Sequence, residues 1–383
     1  MSTIAHLPKQ VVFGVHSIQE LSKILIDMQI KKAFIIYSAS AMKDYLWSLK
    51  KQLPEAVFYE ISKGEPTLDE LTRATSHLQE MQCDGVVAIG GGSVIDLAKA
   101  VAVKAINLNL EINEIPNLIE LCRLPLIAIP TTAGTGSEAT KIMVLTDTSL
   151  QKKINPSHPS LIPDIVILDA DLTRNVPAFI TVYTALDALT HAIEAFVSTK
   201  ANPISDYFAK EAICLISNNI LAVYSDPHNI EIRGQLLLGS FYAGIAFSNA
   251  STNLAHATGR AIGAKFLLPH GLCVALMHPF VIEFTMESCL ERYEQIAEMM
   301  GLSSAQEIAP FLFSLNGQLG IWEVGGMIFE RLTDEVIEEL TEQTLSGNGI
   351  LTNRKIPTHV DINMLFHKLS KRLQAEGSWN GWH

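Results

Sequence analysis

Four side chains in the second half of the sequence have the types and spacing to hold a metal ion. In TALDALTHAIEAF, Asp187 and His191 are four residues apart on a strongly helical pattern, so both project from one face and can share a ligand. Taken alone, such a pair is more often a structural pair on a helix surface. Two further imidazoles, His256 and His270, stand near the ends of STNLAHATGRAIGAKFLLPHG, where most positions are apolar or small. Polar groups buried in such surroundings need a partner. A lone buried histidine commonly finds one in a hydrogen bond. One carboxylate and three imidazoles together are also a donor set for a divalent transition metal, and iron(II) and zinc both accept it. His6, His16, His77, His158, His228, His359, His367 and His383 sit in polar or terminal surroundings and are expected at the surface, while His278 in ALMHPF is left open.

The first half carries a different signal. In DGVVAIGGGSVIDLAKAVAV an apolar strand runs into Gly90, Gly91 and Gly92 and then into a helix beginning near Ser93. Glycines let a phosphate approach the backbone, and the N–H groups at the helix start supply donors and partial positive charge. The spacing is not G-x-G-x-x-G, and a merely tight strand–helix turn would use the same residues. A second loop, PTTAGTGSEAT, holds Thr131, Thr132, Gly134, Thr135 and Gly136 at what should be the carboxyl end of a parallel strand, where open α/β sheets bind ligands. Two such loops in one domain point to a nucleotide. Ser38 ends another strand, at the place where a dinucleotide fold often sets an acidic residue on the adenosine ribose. A neutral residue there removes repulsion against a 2′-phosphate, so NAD and NADP both stay open.

The elements that must position these residues have two rhythms. Up to about Pro177, β-rich runs alternate with helical patterns: KAFIIYS (32–38), AVFYEIS (56–62), DGVVAIG (84–90), PLIAIPTT (125–132), KIMVLTD (141–147) and DIVILDA (164–170). Ser17 with Glu20, and Thr67 with Glu70, have the spacing of a capping box, each opening a helix. After Pro177 the strand signals vanish and apolar residues recur at helical spacing. The expected architecture is an α/β N-terminal dinucleotide-binding domain over 1–177 and an all-α C-terminal domain over 178–383, packed closely with a ligand cleft between them.

Composition narrows the partners. A net charge of −12 with no Lys/Arg-rich stripe argues against nucleic acid or an anionic membrane surface. The apolar runs break before the roughly 18 residues of a membrane span. MSTIAHLPKQ shows no basic region followed by an apolar core, so a cytoplasmic location is expected. Five cysteines without a C-x-x-C pair are expected as buried, reduced thiols.

Together GGGSVIDLAK, PTTAGTGSEAT, LDALTHAIEAF and HATGRAIGAKFLLPHG resemble the iron-containing (metal-dependent, group III) alcohol dehydrogenase family, whose architecture is shared with dehydroquinate synthase. The likeness runs from the VVFG opening through KKIN, PDIVILDADLT, ANPISDYFAKEAICLI and YAGIAFSNA to about residue 290. The resemblance implies metal ligands Asp187, His191, His256 and His270 and a pyrophosphate loop of Gly91, Gly92 and Ser93, with Asp96 following. It also implies cofactor-lining residues at Thr131, Thr132, Thr140 and Lys153, and it sets Ser38 where NAD-preferring members often have Asp. The implied reaction passes a hydride between NAD or NADP and an alcohol or aldehyde whose oxygen is polarised by the metal, Fe²⁺ rather than Zn²⁺ by preference. A homodimer or higher homo-oligomer is expected.

Two positions depart from the family pattern. Four residues after His256, where many members carry a second histidine, stands Arg260, and Phe280 replaces the histidine of a common Pro-His pair. A guanidinium does not act as a general base. Arg260 is counted with the catalytic set as a group that holds an anionic part of the substrate, or else it pairs with a nearby acid. The rival readings are a cyclase resembling dehydroquinate synthase, a maleylacetate-reductase-like or other oxidoreductase acting on an anionic substrate, and a non-catalytic metal- or nucleotide-binding protein.

Overall fold

Six apolar runs of the first half pair side by side. The computed structural model describes residues 3–61, 64–150 and 152–377. Its strands are β1 (Gln10–Phe13), β2 (Ala33–Tyr37), β3 (Val57–Glu60), β4 (Gly85–Gly90), β5 (Leu126–Pro130), β6 (Leu145–Asp147), β7 (Lys152–Ile154) and β8 (Ile165–Leu168). The main sheet is parallel throughout, in the order β1-β8-β5-β4-β2-β3. Its central strands are apolar at every position because both faces are covered. Phe34, Ile36, Val86, Ala88, Leu126 and Ala128 face one layer, and Ile35, Tyr37, Val87, Ile89, Ile127 and Ile129 face the other.

Three expectations change. KIMVLTD does not join the main sheet; only Leu145–Asp147 is a strand, paired antiparallel with β7 in a separate hairpin. Its earlier donors are already engaged, Met143 N by the Pro156 carbonyl and Val144 N by Asp96 Oδ2. Ser17 caps nothing: it lies inside a 3₁₀ turn, Ser17–Glu20, and its hydroxyl donates to the Leu168 carbonyl. Thr67 does cap the Leu68–Glu80 helix by accepting from Glu70 N, but the Glu70 carboxylate turns to Tyr59 and Arg73 instead of closing the box. Ser62, at the end of the AVFYEIS run, and His383 fall outside the described residues.

Beyond Pro177 the described chain is helical. Five helices carry or frame the site: Ala178–Val197, Pro203–Ser225, Ile230–Ala250, Leu254–Phe266 and His270–Thr285. Asn202 and Ser205 form a reciprocal capping box at the start of the second, and Asn229 caps the third. The halves share one core: Ala133, Ala139, Val166 and Leu168 of the first half pack within the helical cluster. Gly136, at φ +60°, touches Gly244 so closely that a Cβ on Gly136 would lie 2.6 Å from Gly244 Cα. Arg233, 2% exposed, donates to the carbonyls of Thr173, Val176 and Pro227 and pins the junction between the halves. The stretch His270–Met299 is long and apolar enough to cross a membrane by composition, but 67% of its most apolar window is buried, as in a core helix.

Candidate active site

The Ala178–Val197 helix is the spine of the site. It is buried from Thr181 onward except at Thr184, and it presents Asp187 and His191 one turn apart. The Leu254–Phe266 helix supplies His256, and His270 is the first residue of the His270–Thr285 helix. A glycine brings that third element in: a Cβ on Gly271 would lie 2.1 Å from the Tyr183 carbonyl oxygen and 3.2 Å from Asp187 Cβ. Only hydrogen at this position lets His270 sit against Asp187.

One donor atom each from Asp187, His256 and His270 lies within 4.8 Å of the others. His256 Nε2 is 3.3 Å and His270 Nε2 3.7 Å from Asp187 Oδ1. His191 stands beside this trio rather than in it; its ring is stacked between His256 and Phe247, with centroids 4.2 Å from each. Asp187 Oδ1, His191 Nδ1 and His256 Nε2 are all buried without a hydrogen-bond partner among the described residues. Orphaned buried polar atoms cost about 1–3 kcal/mol each, and those on Asp187 and His256, 3.3 Å apart with His191 stacked alongside, fit a cation that they would share. His270, with 45% of its side chain exposed, is the side on which solvent reaches the centre.

Sequence reasoning missed Glu194. Its carboxylate, 2% exposed, accepts from His256 Nδ1 at 2.7 Å, Asn253 N at 2.7 Å and Ala255 N at 2.6 Å. The proton is thereby held on Nδ1, and Nε2 is aimed at Asp187, the arrangement that orients histidines at metal centres. The signal was present: Glu194 lies seven residues after Asp187 and three after His191, on the same helix face. Burial opposes ionisation of Asp187 and Glu194, yet the neighbouring imidazoles hold both below the usual carboxylate range. Burial also works against a charged His256, but Glu194 and Asp187 outweigh it and push the ring up to about 9. With burial dominant, His191 is pushed down to about 3 and His270 is lowered. His278, the histidine left open, is buried, and burial lowers it to about 4. The Thr190 hydroxyl donates to the Leu186 carbonyl and lies 2.9 Å from His278 Nδ1. His158, expected at the surface, is 7% exposed because its Nδ1 accepts from Ser160 N. All five cysteines are free; Cys83 and Cys273 are buried, whereas Cys122 is exposed and Cys214 and Cys289 are half-buried.

The glycine and threonine loops meet at the carboxyl ends of β2, β4 and β5. There a cavity of about 420 Å³ is lined by Ser38, Gly91, Gly92, Ser93, Thr131 and Thr132, with Pro177 and Ile180 on the far wall. Gly91 precedes the Gly92–Lys104 helix, whose first N–H groups open toward it. Asp96, Thr140 and Lys153 are not among the lining residues. Asp96 accepts from Ser137 Oγ and Val144 N, and Thr140 receives the buried Lys99 ammonium at 3.0 Å, so both clamp the threonine loop to the helix beneath it. Lys153 projects from β7 into an ion pair with Glu65. Burial lowers Lys99 to about 8 and raises Glu138, in the same loop, to about 7. Arg260 is on the Leu254–Phe266 helix, one turn after His256.

Comparison with known proteins identifies the family. The model for "Iron-containing alcohol dehydrogenase" matches residues 8–170, and the one for "Fe-containing alcohol dehydrogenase family, C-terminal" matches residues 181–370. The chain belongs to the iron-containing alcohol dehydrogenase family. Among the family's curated members, the NAD-dependent methanol dehydrogenase of Bacillus methanolicus is 30% identical over 371 residues, 93% of this chain and 97% of that protein. The probable alcohol dehydrogenase EutG of Escherichia coli is 44% identical over 238 residues, 62% of this chain; the match spans 60% of the length of EutG. The solved iron-containing alcohol dehydrogenase of Thermococcus thioreducens superposes with a TM-score of 0.89 at 30% identity, covering 96% of this chain and all of the other. The fold of the iron-containing alcohol dehydrogenases is therefore the fold of this chain: a parallel α/β half and a helical half.

Proposed function

We propose that this protein is an NAD(P)-dependent, metal-dependent alcohol dehydrogenase and aldehyde reductase, working as two domains, 1–177 and 178–383. The observation that carries the reading is the set of buried, unpartnered donor atoms on Asp187, His191 and His256 beside His270. Asp187, His191, His256 and His270 would hold a divalent metal, iron in keeping with the family, with zinc as the competitor. A metal there supplies Lewis-acid polarisation of the substrate oxygen, and the nicotinamide supplies or accepts the hydride.

The chain's own part is placement. Ile180 lines the cofactor cavity and Asp187 follows two turns later on the same helix, about 10 Å along its axis. One rigid element thus relates the two reactants, as hydride transfer requires. Gly91, Gly92 and Ser93 would take the pyrophosphate, and Ser38, Thr131 and Thr132 would line the rest of the cofactor's site. Asp96 and Thr140 support that loop from below. Glu194 keeps the His256 ring from rotating. Arg260 stays protonated and His278 is 4% exposed, so the alcohol proton leaves through water at the open edge of His270.

Relatives named for NAD and for NADPH both occur, so either cofactor is consistent with the family. Five free cysteines support a reducing, cytoplasmic setting. Val11 and Phe13, exposed on the edge strand β1, support a homo-oligomer. The test is an aldehyde and alcohol panel with NADH/NAD and NADPH/NADP on protein loaded separately with Fe²⁺ and Zn²⁺. Net cofactor turnover is expected with one metal clearly preferred. Turnover independent of metal, or none with any pair, sinks the proposal; recycling without net NAD(P)H consumption would favour the cyclase.

A further inference from the structure

Arg260 is exposed and differs from most of the arginines; among the described residues Arg331, set over the Phe266 ring, also pairs with no carboxylate. Arg73, Arg123, Arg174 and Arg292 each pair with a carboxylate. Arg233 and Arg354 are satisfied by backbone carbonyls. Among the described residues, the Arg260 guanidinium has neither an ion pair nor a hydrogen bond, although it stands one turn beyond His256. The acids of the centre are committed: Glu194 serves His256 and two backbone N–H groups, and Asp187 faces His256 and His270.

The guanidinium is nonetheless seated. Its Nη2 lies against Gly349, where an added Cβ would come within 2.9 Å. The Asn348–Thr352 turn holding Gly349 is fixed by Thr352, whose hydroxyl donates to the Thr252 carbonyl at 2.8 Å and whose own carbonyl receives Thr199 N at 2.9 Å. A forked donor held in place and left unpaired beside a reacting centre has the geometry to receive a planar or tetrahedral oxyanion.

We propose that Arg260 sets substrate class, gripping a carboxylate or sulfonate on the far end of a short aldehyde or its alcohol. This rests on the dehydrogenase reading of the same site. The two Cα atoms of His256 and Arg260 are separated by about 6 Å along the helix, which suits a short substrate. An uncharged aldehyde leaves the guanidinium without a partner. The anionic one supplies it, and that difference is the origin of the selectivity.

The test compares 4-oxobutanoate and sulfoacetaldehyde with butanal and propanal on the metal-loaded full-length enzyme, as the ratio of kcat/KM for anionic over neutral substrate. The native protein is expected to favour the anionic aldehydes at least roughly thirty-fold, Arg260→Gln to cut that ratio at least roughly tenfold, and Arg260→Lys to fall between. The carboxylate and sulfonate arms tell the two oxyanions apart. In parallel, calorimetric titration with succinate and with ethanesulfonate reads binding without turnover; Arg260→Gln should weaken it about tenfold while circular dichroism confirms the fold. Equal use of butanal and 4-oxobutanoate by the native protein, or an unchanged ratio in Arg260→Gln, overturns the proposal. If no aldehyde of either kind is reduced while succinate binding still depends on Arg260, the anion site stands and the dehydrogenase reading fails.

Discussion

The proposed cofactor cavity and the proposed metal centre lie at two positions along one helix but are built on opposite principles. One wall of the cavity is backbone and small side chains from three strand ends, faced by larger side chains such as Tyr45, Leu172 and Ile180. The centre is assembled from single side chains on three helices, spread over the sequence from Asp187 to His270, and each is unremarkable alone. The loops of the cavity are held from beneath by Asp96, Lys99 and Thr140, which are not among its lining residues. The proposed centre is made of single side chains, and its geometry depends on residues such as Gly271 and Glu194 that supply no ligand to it.

The largest expected difference comes from Asp187→Ala. Turnover should fall on the order of 10³-fold or more, with bound metal lost by elemental analysis and NAD(P)H binding retained by fluorescence. Loss of both together would erase the separation between the regions. Glu194→Gln should weaken metal affinity roughly 10–100-fold with activity recovered in excess metal, so a chelator titration distinguishes orientation from direct ligation. Gly92→Val drives a side chain toward Thr135, whose Oγ1 is 2.8 Å from the Cβ position, and should weaken cofactor binding roughly tenfold with metal content unchanged. Ser38→Asp should lower the use of NADP relative to NAD by roughly tenfold, read from the two kcat/KM values, by setting a carboxylate against the 2′-phosphate.

The last effect is on stability alone, with no change expected at either site. Glu138 is 1% exposed and its carboxyl is raised by burial from 4.5 to about 7. Because the folded value is the higher one, its favourable contribution is fully present below pH 4.5 and is lost as the pH rises through about 7. Glu138→Gln should therefore be more stable than the native protein at pH 8, by on the order of 3 kcal/mol, with the gain vanishing near pH 4.5. Thermal melts across that range check the sign, and a gain that is instead largest at low pH would reverse it.

Much of this was legible beforehand. The alternation of β-rich and helical runs, the change at Pro177 and the glycine loop after β4 are local patterns, and local propensity writes them into contiguous residues. KIMVLTD misled because its backbone donors are claimed by Asp96 and the Pro156 carbonyl, partners far away in sequence. The same distance hid the roles of Asp96 and Thr140, which point under the threonine loop.

The sequence by itself determined which half would be a sheet and which a bundle, because that follows from residue type and short-range spacing, and it offered Asp187, His191, His256 and His270 as candidates to share a cation by residue type. Only the tertiary structure decided that His191 stacks beside the trio, that Glu194 locks His256, and that Arg260 is left without a partner. Those outcomes depend on how helices approach one another, and that approach is set by contacts such as Gly271 against the Tyr183 carbonyl, between residues 88 positions apart.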